Sequence, residues 1–229
     1  MKNPDVLRKL LHFLKPSRTI PHTSWTARNR WAVTPKNFAI LLVGLAIFGL
    51  GDSLLIQSSI GNAPWSVLAQ GLSLHTPFSI GECTALISVG VLALWLPLKE
   101  RPGFGTLCNI AVIAIFIQIG VDWIPKLHTN FILQLVYVII GIGLVGAGTG
   151  LYITCGLGPG PRDGLMTSIH KQTGIRISRA RLSIEVTVLI IGKALGGTLG
   201  VGTAMFALFI GASIATNLNF VSKFANRSR

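Results

Sequence analysis

Two stretches rich in glycine and proline hold the residues whose types and spacing could do chemistry. Residues 61–68 read GNAPWSVL, and residues 158–165 read GPGPRDGL. Proline is favoured at the first position of a helix, because its missing N–H would have no partner there. Each stretch therefore predicts a glycine-hinged loop followed by a short helix, which begins at Pro64 in the first case and at Pro161 in the second.

The first turn of such a helix attracts negative charge, because its free backbone N–H groups carry partial positive charge. Two helix ends that face each other would suit an anion or a carboxylate, and Arg162 would strengthen that preference. This chemistry is the basis for a hypothetical substrate-binding site. Its candidate residues are Gly61, Pro64, Trp65, Ser66, Gly158, Pro161, Arg162, Asp163 and Glu185.

A second interpretation of these residues stays open. Each stretch could be a loop at the membrane surface, with Trp65 as an aromatic anchor and with Arg162 and Asp163 as an exposed pair. Glu185 is a candidate because an ionisable residue in an apolar helix is costly, but it could simply pair with Arg181 one turn earlier. Re-entrant loops require a wet cavity, so the two interpretations differ in the water exposure of the loops.

The composition indicates a protein that is covered partly by lipid. Apolar residues make up 50% of the chain and charged residues only 12%, against roughly 25% charged residues in soluble domains. A net charge of +13 would suggest nucleic acid as the partner of a soluble protein, but here the basic residues lie between the apolar runs. We therefore expect a lipid bilayer as the partner and no nucleic acid.

The apolar runs predict an all-α membrane protein with six transmembrane helices. A helix needs about 20 mostly apolar residues to cross the hydrocarbon core of a bilayer. Runs of that size lie near 37–57, 79–98, 103–124, 131–153, 178–195 and 200–219.

The distribution of Lys and Arg predicts the orientation, because these residues are retained on the cytoplasmic side. Eighteen of the 20 basic residues fall on one side of a six-span arrangement, and only Lys126 and Lys193 fall on the other. We therefore expect both termini in the cytoplasm, with 1–36 as a basic leader and 220–229 as a short basic tail. Apolar residues at helical spacing from Val6 to Leu14 predict an amphipathic helix within the leader.

The chain also repeats itself at an offset of 97 positions. The repeated residues include glycines, a proline and a threonine in register, which aliphatic similarity alone does not supply. Each copy, 37–124 and 131–219, holds three predicted spans, so the second copy enters the membrane from the opposite side. The matching residues include Gly44 and Gly141, Gly51 and Gly148, Gly61 and Gly158, Pro64 and Pro161, and Thr106 and Thr203.

Three motifs together carry a resemblance to a known family. Residues 51–56 read GDSLLI, residues 61–65 read GNAPW, and residues 101–109 read RPGFGTLCN. This pattern, over residues 37 to about 220, resembles the YczE/YyaS/YitT family of bacterial integral membrane proteins. The resemblance implies a multi-span fold in the bacterial cytoplasmic membrane, but no established substrate or catalytic residue.

Inverted repeats are typical of transporters that bind their solute between the two halves. We therefore expect a transporter or permease for a small solute of anionic or zwitterionic character. The alternative is a non-transporting scaffold or accessory subunit that docks another protein or a second copy of itself. No phosphate-loop, zinc or nucleophile-elbow motif occurs, so we expect no enzyme, no cofactor and no metal site.

Overall fold

The computed structural model describes residues 20–227 of the protein, and the regular elements in that range are all helices. The amphipathic helix predicted between Val6 and Leu14 lies outside the described residues. We number the eight helices in chain order: α1 (Pro35–Ser58), α2 (Pro64–Ser73), α3 (Ile80–Ala93), α4 (Phe104–Trp123), α5 (Phe131–Thr154), α6 (Pro161–Thr173), α7 (Ile177–Ala194) and α8 (Val201–Arg227).

Helices α1–α4 and α5–α8 form two copies of one arrangement, which consists of a long, a short, a medium and a long helix. The last three helices of each copy begin 97 positions apart, at Pro64 and Pro161, at Ile80 and Ile177, and at Phe104 and Val201. The prediction that Pro64 and Pro161 begin short helices is confirmed, with proline in the first turn of both.

Reciprocal pairs of side-chain hydrogen bonds cap two of the other helices. Thr34 accepts a hydrogen bond from the backbone N–H of Asn37, and the Asn37 side chain accepts one from the Thr34 N–H, which fixes the start of α1. Ser79 and Glu82 form the same reciprocal pair at the start of α3. These caps stop the two helices from extending backwards into the segments that precede them.

The equivalent helices α1 and α5 cross antiparallel at glycines. A Cβ atom built on Gly148 would lie 2.5 Å from the Gly44 carbonyl oxygen, and one built on Gly141 would lie 2.8 Å from the Gly51 carbonyl oxygen. Because the contact on α5 moves backwards as α1 advances, the two helices run in opposite directions. Only glycine permits backbones to approach so closely, which is the small-residue packing typical of membrane helices.

The outer long helices run parallel to their partners. On α5, a Cβ at Gly146 would clash with Ser213 of α8, and one turn later a Cβ at Gly150 would contact Asn217. Helices α1 and α4 are parallel for the same reason, because the contacts move forward along both of them: Gly49 contacts Ile113, and further along Ser53 contacts Gly120. Glycines in α1, α4 and α5 therefore serve close packing of the long helices.

At two equivalent contacts elsewhere in the fold, the glycine and the larger side chain have changed places. Just after α3, the Trp95 ring fills the space that a Cβ on Gly164 of α6 would occupy, with only 1.9 Å between them. At the equivalent contact Gly192 of α7 lies against Val67 of α2, and a Cβ there would lie 2.8 Å from the Val67 carbonyl carbon. Each contact thus pairs one glycine with a larger residue, on opposite partners.

Four helices, α1, α4, α5 and α8, are long and apolar enough to cross a membrane. Helices also occupy the other two predicted spans. However, α3 has 14 residues and stops at Ala93 instead of 98, and α7 carries several charges over its 18 residues. Helix α8 extends to Arg227, so most of the predicted tail at 220–229 continues the helix.

We expect Gly164→Ala to destabilise the protein by about 1–3 kcal/mol, because the new methyl group would overlap the buried Trp95 ring. Gly143→Ala is the matched control, since Gly143 is exposed on a helix and no atom lies within 4 Å of the position that its Cβ would take. Thermal unfolding in detergent measures both variants. Equal unfolding temperatures for the two variants would contradict this packing.

Candidate functional site

A cavity of about 100 Å³ lies between the two copies of the fold, and side chains or backbone from all eight helices or their caps line it. Most of its lining consists of residues at equivalent positions of the two copies. These pairs are Phe48 and Val145, Asp52 and Thr149, Ala63 and Gly160, Trp65 and Arg162, Thr84 and Arg181, Ser88 and Glu185, Asn109 and Phe206, and Ile113 and Ile210. The cavity is therefore built by the repeat.

The charges in the cavity do not follow this symmetry. The second copy supplies Arg162, Arg181 and Glu185, whereas the equivalent residues of the first copy are uncharged. In the first copy Asp52 is the acidic lining residue, and its equivalent Thr149 is neutral. A symmetric framework thus encloses a site whose two sides differ in charge.

The N-terminal ends of the two short helices meet at this cavity. The Arg162 guanidinium carbon lies 5.0 Å from the centroid of the Trp65 ring, a cation–π contact between the second residues of α6 and α2. Ala63 and Gly160 precede these helices and have no side-chain oxygen that could cap them. Ser66 N–H donates to the Ala63 carbonyl, whereas among the described residues the backbone N–H groups of Trp65, Arg162 and Asp163 have no acceptor and contribute partial positive charge.

Each carboxyl group of the cavity has one hydrogen-bond donor. Ser66 Oγ donates to Asp52 Oδ2 over 2.7 Å, and the Tyr152 hydroxyl donates to Asp163 Oδ2 over 2.6 Å. The third acid, Glu185, accepts from Arg181 Nε over 2.7 Å within α7. The intrahelical pair expected from the sequence is thus present, and both of its members also line the cavity.

Arg162 has a different environment from Arg181. Within the described residues 20–227 no hydrogen bond or ion pair engages its guanidinium, which contacts the Trp65 ring instead. An arginine with free donors beside a cavity is suited to bind a carboxylate or phosphate through two parallel hydrogen bonds.

The structure brings five of the nine sequence-predicted site residues to the cavity: Pro64, Trp65, Arg162, Asp163 and Glu185. Two more adjoin lining residues: Ser66 donates to Asp52, and Pro161, whose carbonyl accepts from Trp95 Nε1 over 3.0 Å, directly precedes Arg162. Trp65 is only 6% exposed, so it does not act as an aromatic anchor at a membrane surface.

The remaining two, Gly61 and Gly158, lie outside the cavity lining. Their φ angles of 127° and 114° belong to the region that glycine adopts readily. A Cβ on Gly61 would lie 2.8 Å from Thr203 Oγ1, and one on Gly158 would lie 2.9 Å from Thr106 Oγ1. Each glycine therefore turns its loop tightly over the first turn of a long helix from the other copy.

Sequence reasoning left several lining residues out of the candidate set: Asp52, Thr84, Ser88, Asn109, Thr149 and Tyr152. The repeat offers a signal for some of them, because Ser88 is equivalent to the candidate Glu185. Tyr152 has no such signal, since its equivalent Leu55 packs in a hydrophobic cluster.

A polar cluster outside the cavity positions α6. Glu100, in the loop between α3 and α4, forms ion pairs of 2.8 Å with Lys171 and with Arg30, and it accepts a hydrogen bond from Ser168. The hydrogen bond from Lys171, joined by that from Arg30, lowers the pKa of the Glu100 carboxyl against the opposing effect of burial. Glu100 therefore stays ionised at neutral pH and ties the end of α6 to the leader.

A polar side chain also fixes α2. Gln70 Oε1 accepts hydrogen bonds of 2.8 Å from the Asn62 side-chain amide and from the Thr198 backbone N–H. These bonds join α2 to the loop that precedes it and to the loop between α7 and α8. Both short helices are thus anchored to the opposite copy or its loops.

Comparison with known proteins places the chain in a family. The model of a family described as "Family of unknown function (DUF6198)" matches residues 35–218. This chain belongs to the DUF6198 family. It is 44% identical over 209 residues to an uncharacterised protein of Haemophilus influenzae, across 91% of this chain and 95% of that relative.

Two relatives of this DUF6198 protein come from Bacillus subtilis. The uncharacterised membrane protein YczE is 32% identical over 179 residues, which cover 76% of this chain and 82% of YczE. The uncharacterised protein YyaS is 29% identical over 170 residues, covering 71% of this chain and 83% of YyaS. No solved structure matches the chain significantly.

These relatives confirm the resemblance to YczE and YyaS, while the resemblance to YitT stays a prediction. The similarity to a membrane protein and the four long apolar helices agree that this DUF6198 protein is a multi-pass membrane protein.

Proposed function

We propose that this DUF6198 protein is a small-molecule transporter or permease that binds an anionic or zwitterionic solute in the cavity between its two copies. The observation that carries the proposal is the meeting of two short-helix N-termini, with Arg162 and Trp65 in contact, beside a cavity lined by several charged side chains. Transporters built from inverted repeats place their sites between such helix ends. No catalytic step is part of this proposal.

Helix direction supports six spans arranged as inverted repeats. Since α1 and α4 run parallel, the chain crosses the membrane once between them, through α3, and α2 enters without crossing. Three crossings in each copy then require the second copy to be inverted, in agreement with the antiparallel contact of α1 and α5. Helix α3 is about 21 Å long, so the turns that follow Ala93 complete its crossing.

The location that follows from this proposal is the bacterial inner membrane, with both termini in the cytoplasm. It is supported by the basic residues outside the cavity: sixteen lie on one side of the six spans and only Lys126 and Lys193 on the other, with Arg162 and Arg181 lining the cavity itself. The Glu100 cluster with Arg30 and Lys171 then lies on the cytoplasmic side and holds the cytoplasmic end of α6.

The size and charge of the cavity support a small anionic or zwitterionic solute. A volume of about 100 Å³ is below the roughly 300–1,000 Å³ of pockets for drug-sized ligands, so we infer a solute of a few heavy atoms. A carboxylate or phosphate group would bind Arg162 and the free N–H groups of α2 and α6. An amino group on the same solute would face Asp163.

Cysteine labelling tests the orientation. We expect cysteines introduced at Lys126 and Lys193 to react with an impermeant thiol reagent in intact cells, because these loops face outwards. Cysteines at Lys99 and Lys171 should react only after permeabilisation. Labelling of a cysteine at position 99 in intact cells would contradict the six-span arrangement.

Arg162→Ala should weaken solute binding tenfold or more. A hydrogen bond to a charged group contributes about 1.5–3 kcal/mol, and each 1.4 kcal/mol is a factor of ten. We would screen small carboxylates, amino acids and phosphate for thermal stabilisation of the purified protein, and then measure uptake of the best solute in proteoliposomes. Arg179→Ala is the charge-matched control, since Arg179 is exposed outside the cavity.

If Arg162→Ala and Arg179→Ala retain the same affinity and uptake as the wild type, the cavity is not the binding site. The scaffold or accessory-subunit alternative would then explain the fold better, because docking to another protein does not need a charged cavity.

A further inference from the structure

The carboxyl group of Asp52 is buried and only half satisfied. It lies on α1, lines the cavity and is 1% exposed. Oδ2 accepts the hydrogen bond from Ser66, whereas Oδ1 is buried without a hydrogen-bond partner among the described residues. An ionised carboxylate in such a position is costly, and a proton on the free oxygen removes that cost.

Ionisable side chains from three other helices line the same cavity. They are Tyr152 on α5, Arg162 and Asp163 on α6, and Arg181 and Glu185 on α7. Among the described residues, the lining positions of α2, α3, α4 and α8 carry no ionisable group. These five side chains and Asp52 therefore set the charge of the cavity.

Counting the charges leaves an excess of one acid. Arg181 and Glu185 pair over 2.7 Å and balance each other. Arg162 then faces two carboxyl groups, Asp52 and Asp163, and would balance only one of them. With both carboxyl groups ionised the cavity has a net charge of −1, which opposes entry of an anion.

We propose that Asp52 is a proton-binding site that couples solute entry to proton movement, an inference that rests on the proposed transport function. A proton from water on the open side of the cavity forms an O–H bond at Oδ1. It leaves to water on the other side after the protein has changed the side to which the cavity opens. No electron transfer is involved. Protonated Asp52 leaves the cavity neutral, so a bound anion meets Arg162 without a second negative charge beside it.

Linkage between the two ligands follows from this arrangement. The anionic solute and the proton favour each other's binding, because each lowers the repulsion that the other would meet. Above the pH at which Asp52 loses its proton, the affinity for an anion should fall by up to about tenfold per pH unit. Asp52→Asn removes the titrating group and should leave an affinity that no longer follows this slope.

Infrared difference spectroscopy tests the proton site without any solute, with the full chain in lipid nanodiscs and the proton as the ligand. We expect the C=O stretching band of a protonated carboxyl group at neutral pH, a shift of this band in D2O, and its loss in Asp52→Asn. Asp122→Asn is the matched control, because Asp122 is an exposed carboxyl group on α4 outside the cavity lining, accepts one hydrogen bond from Gln118, and can be changed without altering the charge of the cavity. The band should persist in that variant.

A wild-type protein without the band at neutral pH, or a band that survives Asp52→Asn, would overturn the proton site. Size-exclusion profiles equal to the wild type confirm that both variants are folded. The two proposals fail separately. A band assigned to Asp52 with no effect of Arg162→Ala on binding removes the transport proposal, whereas Arg162-dependent binding without the band removes only the proton site.

Discussion

The antiparallel contact of α1 and α5 is the constraint on which the rest of the structure depends. Gly44 and Gly51 on α1 meet Gly148 and Gly141 on α5, so carbonyl oxygens of one helix lie where side chains of the other would begin. A side chain at any of these positions would push the helices apart. Because the two helices are equivalent in the repeat, their contact also sets how the two copies face each other, and it places α2 opposite α6.

The two copies of the helical arrangement differ in packing and in chemistry. In packing, Trp95 contacts Gly164 in one place, and at the equivalent contact Gly192 lies against Val67. Each contact therefore keeps one glycine and one larger side chain, on opposite partners. In chemistry, Trp65 occupies the position that Arg162 holds in the other copy, and the two side chains stack. In the proposed transport site this asymmetry gives Arg162 an aromatic neighbour in place of a second arginine, which would repel it.

Local signals made much of the fold predictable. Proline at a helix start restricts the backbone wherever it occurs, so the short helices at Pro64 and Pro161 followed from the sequence. Glycines at matching positions revealed the repeat, because close contacts between helices require glycine at the same places in both copies. What the sequence could not supply are long-range contacts such as Tyr152 with Asp163, because the reach of a side chain across the cavity depends on helix packing. The end of α3 at Ala93 was also missed, since apolar residues continue beyond it.

In our proposal, the space between the two copies is a water-filled site that opens to one side of the membrane and then to the other. Reactivity of Thr149→Cys tests this most directly, in a chain whose three native cysteines are replaced by serine. Thr149 lines the cavity, while Gly143 on the exposed face of α5 provides the control position. We expect a small impermeant thiol reagent to modify Thr149→Cys in both right-side-out and inside-out vesicles and to leave Gly143→Cys unmodified. A cysteine at position 149 that reacts from neither side would show a dry, closed core and contradict the proposed transport site.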